Sequence, residues 1–491
     1  MPRPLLIAAL TATLALAAPA VSSAATAFTA GNGVAPAIAV GPDGTGHVAW
    51  QTDPIGGPSQ VQYCRAPAGG SSCPGVQTLD FPHPDGKNPV GEDDSTQVFF
   101  VAPSEVVLSA TCFVCGAAGD AIDRTFRWTS TDGGASFAAP VEVGTTVNVD
   151  GQGALLPGDV LALPDRNGRV ATMPGAAPQT YAGFFTNYSP SVVAVPGTSQ
   201  ILAANNDLAS IKYGVFDGPG LAPLVTDIAI ADPKGDESET DLVAGSSGVF
   251  LTNRQFVALN EHVILRRYDP VTRTFGAGRA IEGSDPIDNS AINPDSYEDA
   301  GGAIHVVYRS NFDGGRLRYL RSDNGGLGFS PGQNLAAKED FRDPRVAADA
   351  TGHGFAVWRA NGAGPIRVVA LDPQFEGGRV PEREVTGRVA GATLAVAAPS
   401  KCVLRGSSFK VTLKVKRQKR KGSLFVKVRR ADFSVASKLV KSDKQAPFVQ
   451  RVTVDPVKAS GSKLVLRVRA FIKVRHGKEP KKSIRSTVTV C

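Results

Sequence analysis

Two patterns of apolar and polar positions divide the chain. Along most of its length, short apolar runs are separated by clusters of Gly, Pro, Asp and Asn. One unit recurs most clearly as PAIAVGPDGTGHVAW (36–50), PDSYEDAGGAIHVVY (294–308) and PRVAADATGHGFAVW (344–358). Each copy opens on a proline (Pro36, Pro294, Pro344), carries a glycine eight residues on (Gly44, Gly302, Gly352) and closes on an aromatic fourteen on (Trp50, Tyr308, Trp358). Two apolar runs split by turn residues predict a tight β-hairpin. From about residue 389 the pattern becomes strict alternation. Phe409, Val411, Leu413 and Val415 are apolar among lysines, and Leu464, Leu466, Val468, Ala470, Ile472 and Val474 face away from Lys463, Arg467, Arg469, Lys473 and Arg475. Period-two alternation predicts long strands with one wet face.

A hairpin repeated at intervals of roughly fifty residues buries its faces only by packing on its own copies. First hairpins begin near 36, 95, 157, 190, 240, 294 and 344, and most are followed by a second hairpin. Helix signals are nearly absent. The expected fold is all-β, a β-propeller of seven blades, or six if 155–187 is an insertion, followed by a small β-sandwich of immunoglobulin-like type. The expected organisation is a signal peptide over 1–24, a propeller over 28–388 and a basic sandwich over 389–491.

The plainest second hairpin, FRWTSTDGGASFAAPVEV (126–143), places Ser130, Asp132, Gly134, Ser136 and Phe137 in the pattern S-x-D-x-G-x-[ST]-[WF]. The aspartate accepts hydrogen bonds from turn amides, the glycine supplies positive φ, and the aromatic packs beneath. Eroded versions keep Asp323 with Phe329, and Asp269 with Phe275; YCRAPAGGSSCP (63–74) replaces the turn network with a disulfide. Over 28–388 the chain thereby resembles the sialidase-like, Asp-box (BNR) repeat propellers. That resemblance implies a central funnel in which three arginines clamp a sugar carboxylate beside a Tyr/Glu nucleophile pair and an aspartate acid/base. The nearest string to the family's first arginine motif is FRDP (341–344), giving Arg342.

Composition adds the compartment. Arg3 precedes the apolar run Leu5–Ala18, and small residues before Ala24 suit cleavage there, so the chain is expected to be secreted with no transmembrane segment. Six cysteines in an exported chain suggest disulfides, paired by proximity as Cys64–Cys73, Cys112–Cys115 and Cys402–Cys491. Cys112-Phe-Val-Cys115 also has redox-motif spacing, without the βαβ context such a site needs. Closing the loop between Cys402 and Cys491 would contribute about 4 kcal/mol.

The charge is divided. Residues 400–491 hold 26 Lys and Arg against four acids, leaving 26 against 41 in the rest of the chain. Lysine-rich strands also discourage edge aggregation, but this excess exceeds what solubility requires. The basic module is expected to dock on an anionic cell-wall polymer or similar surface. Its aromatics are too few for sequence-specific nucleic-acid recognition.

Residues just before each first strand are expected to face the funnel. Asp93, Asp94, Tyr188, Glu239, Asp241, Asp295 and Arg342 are the candidate ligand-binding set, with Arg342, Asp241 and Asp295 as the catalytic candidates. One arginine among many acids is a poor carboxylate clamp, and Tyr297 and Glu298, adjacent in a strand, point to opposite faces. The expected function is noncatalytic binding of a glycan or extracellular protein; an exo-sialidase-like hydrolase is the alternative. No cofactor or metal is expected, although clustered carboxylates leave Ca²⁺ open without EF-hand spacing. His47, His305 and His353 recur within the repeat and read as packing or turn-bonding residues.

Overall fold

The computed structural model describes residues 26–489 apart from 53–58, 83–94, 114–122, 147–150, 166–167, 176, 182–189, 207–209, 231–235, 258–259, 282–290, 311–314, 331, 362–363, 372–381, 390–391, 400–407, 419–426, 454–462 and 474–479. Seven antiparallel sheets occupy 28–370, each essentially a four-stranded meander. Sheets 1 to 6 span 34–80, 96–146, 154–180, 191–230, 236–280 and 291–337. Sheet 7 takes three strands from 341–370 and its fourth, Phe28–Asn32, from the opposite end of the chain, pairing with Pro365–Ala370. The first strands of sheets 3 to 7 pack on one another in turn, as do those of sheets 7 and 1 and of sheets 1 and 2. Sheets meeting through their first strands and splaying outward form a β-propeller.

Apolar faces of successive sheets interlock. Trp50 and Trp358 are fully buried between sheets 1 and 7 or sheets 7 and 6, and Phe126, Trp128 and Tyr63 fill the joint between sheets 1 and 2. The segment read as a first hairpin near 157 supplies instead the second and third strands of sheet 3, Val160–Pro164 and Arg169–Met173. The first strand is the short Ala154–Leu156.

The turn at 130–137 has the bonding its residues require. Ser136 N and Oγ donate to Asp132 at 2.9 and 2.6 Å, Gly134 N donates to Ser130 Oγ at 2.7 Å, and Phe137 packs edge-on against Tyr63. The degenerate copy in sheet 6 needs a correction of register. Ser322 Oγ accepts from Gly326 N, and Asn324 Oδ1 accepts from Gly328 N and Ser322 Oγ. Asn324 therefore takes the aspartate's place with no extra residue, and Asp323 pairs with Arg321 at 2.8 Å. In sheet 1, Cys64 and Cys73 are disulfide-bonded. Cys112 is disulfide-bonded too; Cys115, Cys402 and Cys491 lie outside the described residues.

Beyond the propeller, two four-stranded sheets share one core containing Leu394, Val411, Phe433, Val468 and Ile472, a β-sandwich. The first of its strands is Glu382–Val389, paired with Ala392–Pro399, so the sandwich begins seven residues before the 389 boundary read in the sequence. That strand, EREVTGRV, has too little apolar alternation to announce itself. Arg451 of the sandwich donates to Gly301 O at 2.6 Å, and Leu327 packs on its core, so it meets the turns of sheet 6.

Candidate functional site

The first strands of sheets 1, 5, 6 and 7 are each broken by a bulge. Ala35, Glu239, Asn293 and Asp343 all have φ near +50°, where the pairing register shifts. The bulge turns the next side chains toward the neighbouring sheet. A series of joints results at equivalent positions. Gly153 N donates to Gln97 Oε1 at 3.3 Å, Val192 N to Gln152 O at 2.9 Å, Leu242 N to Ser191 Oγ at 3.0 Å, Ser296 N to Asp241 Oδ2 at 2.8 Å, and Val346 N to Asp295 Oδ2 at 2.7 Å. In five successive cases, then, a first strand is stapled to the next sheet's first strand.

Asp241 and Asp295 are each about 2% exposed and serve as acceptors in these staples. Gln152 Nε2 crosses the axis from sheet 3 to donate to Asp295 Oδ1, and Arg345 Nη1 donates to the same oxygen at 3.2 Å. The ring is thus plugged at this level by Gln152, Asp295 and Arg345. Beside the plug lies a cavity of about 30 Å³, lined among others by Glu239, Asp241, Asn293, Asp343 and Arg345. Asp241 Oδ1 is buried with no hydrogen-bond partner among the described residues.

Burial dominates the electrostatics. It raises the Asp241 carboxyl well above its ordinary range, and the charge of Asp295 adds to the effect. Burial also pushes Asp295 up to about 6, against the opposing pull of Arg345 and the Val346 amide. Glu239 is raised by burial despite Asn293 N and Arg254, which lies 3.2 Å away. Burial disfavours the charge on Arg345, but Asp295 and Asp241 outweigh it and hold the guanidinium protonated.

The candidate set is therefore redistributed. Glu239, Asp241 and Asp295 are brought together. Arg342 is not: its side chain is 52% exposed and pairs with Asp340 at 2.8 Å, and Arg345 takes the place by the axis. Asp93, Asp94 and Tyr188 lie outside the described residues. Glu298 accepts from Ser247 N at 2.6 Å and Ser246 Oγ at 3.0 Å, a turn role in which Tyr297 takes no part. His47 bonds Tyr63 Oη at 2.6 Å, His305 bonds Tyr319 Oη at 2.8 Å, and His353 bonds Thr351 Oγ1 at 2.7 Å. Burial lowers His47 to about 4, so it is neutral at pH 7. Among the described residues, no three His, Cys, Asp or Glu side chains form a metal-holding group. Sequence reasoning missed Arg345, Gln152 and Ser191; the proline preceding Arg345 and Ser191 (Pro344, Pro190) was the available signal.

No protein-family model and no curated protein matches the chain. Among solved structures, a protein of unknown function from Dyadobacter fermentans is 14% identical, with a TM-score of 0.44 over 70% of this chain and 97% of that one. YCF48 bound to D1 peptide is 13% identical, with a TM-score of 0.42 over 71% and 98%. A Hadza microbial sialidase is 11% identical, with a TM-score of 0.39 over 69% and 65%.

Proposed function

We propose that the chain is a secreted, noncatalytic β-propeller. It binds a glycan or extracellular protein at the axial end of sheets 3 to 7, while its basic sandwich holds it on an anionic surface. The commitment of Asp241 and Asp295 to the backbone of the next sheet carries this reading. A carboxylate already stapling two blades is not free to attack an anomeric carbon, and among the described residues Arg345 is the single arginine lining the cavity. The cavity lining is rich in acceptors: Asp241, Glu239, which is already bonded by Arg254 and Asn293 N, and Asp343, which pairs with Arg359 at 3.0 Å. A hydroxyl- or amine-bearing group fits them.

One observation favours the hydrolase alternative. Asp241 and Asp295 are close enough to interact, and burial raises both carboxyls, the direction an acid catalyst requires. The test is a glycan array with the full mature chain, run beside fluorogenic sialoside hydrolysis. Binding without turnover supports the proposal. Turnover that disappears in Asp295→Asn while the fold persists would establish the hydrolase instead.

A further inference from the structure

The outer face of one sandwich sheet, made of strands Lys427–Val435, Lys438–Asp443, Lys463–Lys473 and Lys481–Thr489, is patterned more closely than its net charge requires. Leu464, Leu466, Val468, Ala470 and Ile472 point into the core, which leaves Arg467, Arg469, Phe471 and Lys473 on the outside. Cross-strand register then sets Arg467 directly opposite Arg485, and Lys473 opposite Lys427. Phe471 lies between Arg430 and Lys481, whose charges stand 3.8 and 5.5 Å from its ring centre. The acid within these rows, Asp432, is engaged by Arg430 at 3.1 Å and by Ser442 Oγ at 2.7 Å.

Like charges directly opposite each other weaken a sheet, and two such pairs occur along Lys463–Lys473, one with each neighbouring strand. Protection of an exposed edge does not explain them, because Lys463–Lys473 is an interior strand paired on both sides. Arg451, which reaches Gly301 of the propeller, belongs to the opposite sheet. Alternate residues along a strand are about 7 Å apart, so Arg467 and Arg469, with Lys473 beyond, form a straight row of cations. Arginine presents a planar fork matched to phosphate oxygens.

We infer that this face docks a linear polyol-phosphate polymer, lying along Lys463–Lys473 with successive phosphates against Arg467/Arg485, Arg469 and Lys473/Lys427. The inference rests on the tethering half of the proposed function and names its partner. Single-stranded nucleic acid would need open aromatic faces, and the Phe471 ring is covered by Arg430. A bilayer would need apolar side chains among the cations; Leu439, Val440 and Val465, the exposed ones in this sheet, gather at its Ala436–Ser437 end and leave the rows of Arg469, Phe471 and Lys473 without any.

The test measures binding of the full mature chain to poly(glycerol phosphate) across a salt series. The wild type is set beside the triple variant Arg467→Gln, Lys473→Gln, Arg485→Gln and a charge-matched control, Arg388→Gln, Lys410→Gln, Lys414→Gln, on the opposite sheet. All three chains are first shown to melt together. The face variant should bind at least about 30-fold more weakly at 0.15 M salt, and its log–log salt slope should fall by about 2, while the control stays within about threefold. Equal losses in both variants would overturn the face assignment. Tighter binding to phosphatidylglycerol vesicles or oligo(dT) would overturn the choice of partner. If the wild type ignores poly(glycerol phosphate) yet stays on walls stripped of phosphodiester polymers, this inference fails while the tethering survives; loss of both would sink the two together.

Discussion

Asp295 Oδ2 accepts the backbone N–H of Val346 at 2.7 Å, so a carboxylate in sheet 6 holds the first strand of sheet 7 in register. Its other oxygen takes Gln152 from across the ring and Arg345 from beside it. Removing that carboxylate orphans a buried amide and leaves Arg345 without its partner. Asp295→Ala should therefore cost about 3 kcal/mol in the denaturant-unfolding free energy, while Asp295→Asn, which keeps an acceptor, should cost clearly less. A loss below about 0.5 kcal/mol for the alanine variant would refute the staple.

The same carboxyl makes stability depend on pH. Burial raises Asp295 to about 6 in the fold, against about 3.9 in an unfolded chain. A group raised on folding contributes stability that is fully present below the unfolded value and is lost as pH rises through the folded one. Wild type should lose stability between about pH 4 and pH 6 relative to Asp295→Asn, read as a converging pair of melting curves. Asp241, shifted in the same direction, adds to the trend. Parallel curves would contradict the assignment.

Two glycines of similar backbone conformation separate strain from crowding. Gly134 (φ +83°) and Gly197 (φ +74°) both occupy the left-handed region. An added Cβ at Gly197 meets nothing within 4 Å, whereas at Gly134 it would stand 1.9 Å from Tyr63 Oη. Gly197→Ala should cost about 1 kcal/mol, and Gly134→Ala about 2 kcal/mol more, with loss of the near-ultraviolet signal of the Tyr63–Phe137 contact. Equal costs would mean that the turn at 130–137 does not press on sheet 1.

The Cys64–Cys73 bridge closes a short loop, with a sequence separation of 9. Replacing both by alanine should lower stability by about 2 to 3 kcal/mol, and mass spectrometry of the alkylated native chain should find neither thiol free. Alkylation of Cys64 without reduction would exclude the bridge.

How far the chain could be read follows the reach of each signal. The hairpin repeat rests on local alternation and turn residues, and it matched the sheets except near 157, where the hairpin is the second and third strands of sheet 3; the bonding of Ser130, Asp132 and Gly134 matched as well. Arg342 was misplaced because it was taken from the FRDP string and from its place before a first strand, and neither shows a bulge. Asp343 at φ +49° shifts the pairing between Arg342 and Arg345, so the arginine three residues on faces the axis. Asn324 was passed over for Asp323 because a charged side chain drew the eye, whereas the turn requires a particular position and an oxygen acceptor. The staple of Asp241 to Ser296 joins residues 55 apart, and no local pattern carries that information.

Sheet 7 is completed by Phe28–Asn32 pairing with Pro365–Ala370, residues more than three hundred positions apart. Phe28–Asn32, synthesised before the rest of the ring, must therefore wait, unpaired, for nearly the last part of the ring before it finds its place. Sheets 1 to 6 are assembled from strands contiguous in the chain and can form in order as they emerge. Closure cannot, and loop-closure entropy sets its barrier. The joint that makes the ring mechanically continuous is thus also the step that times its maturation. A chain released short of residue 365 would be a string of blades with an open seam, its edges exposed to proteases and to other unfinished copies.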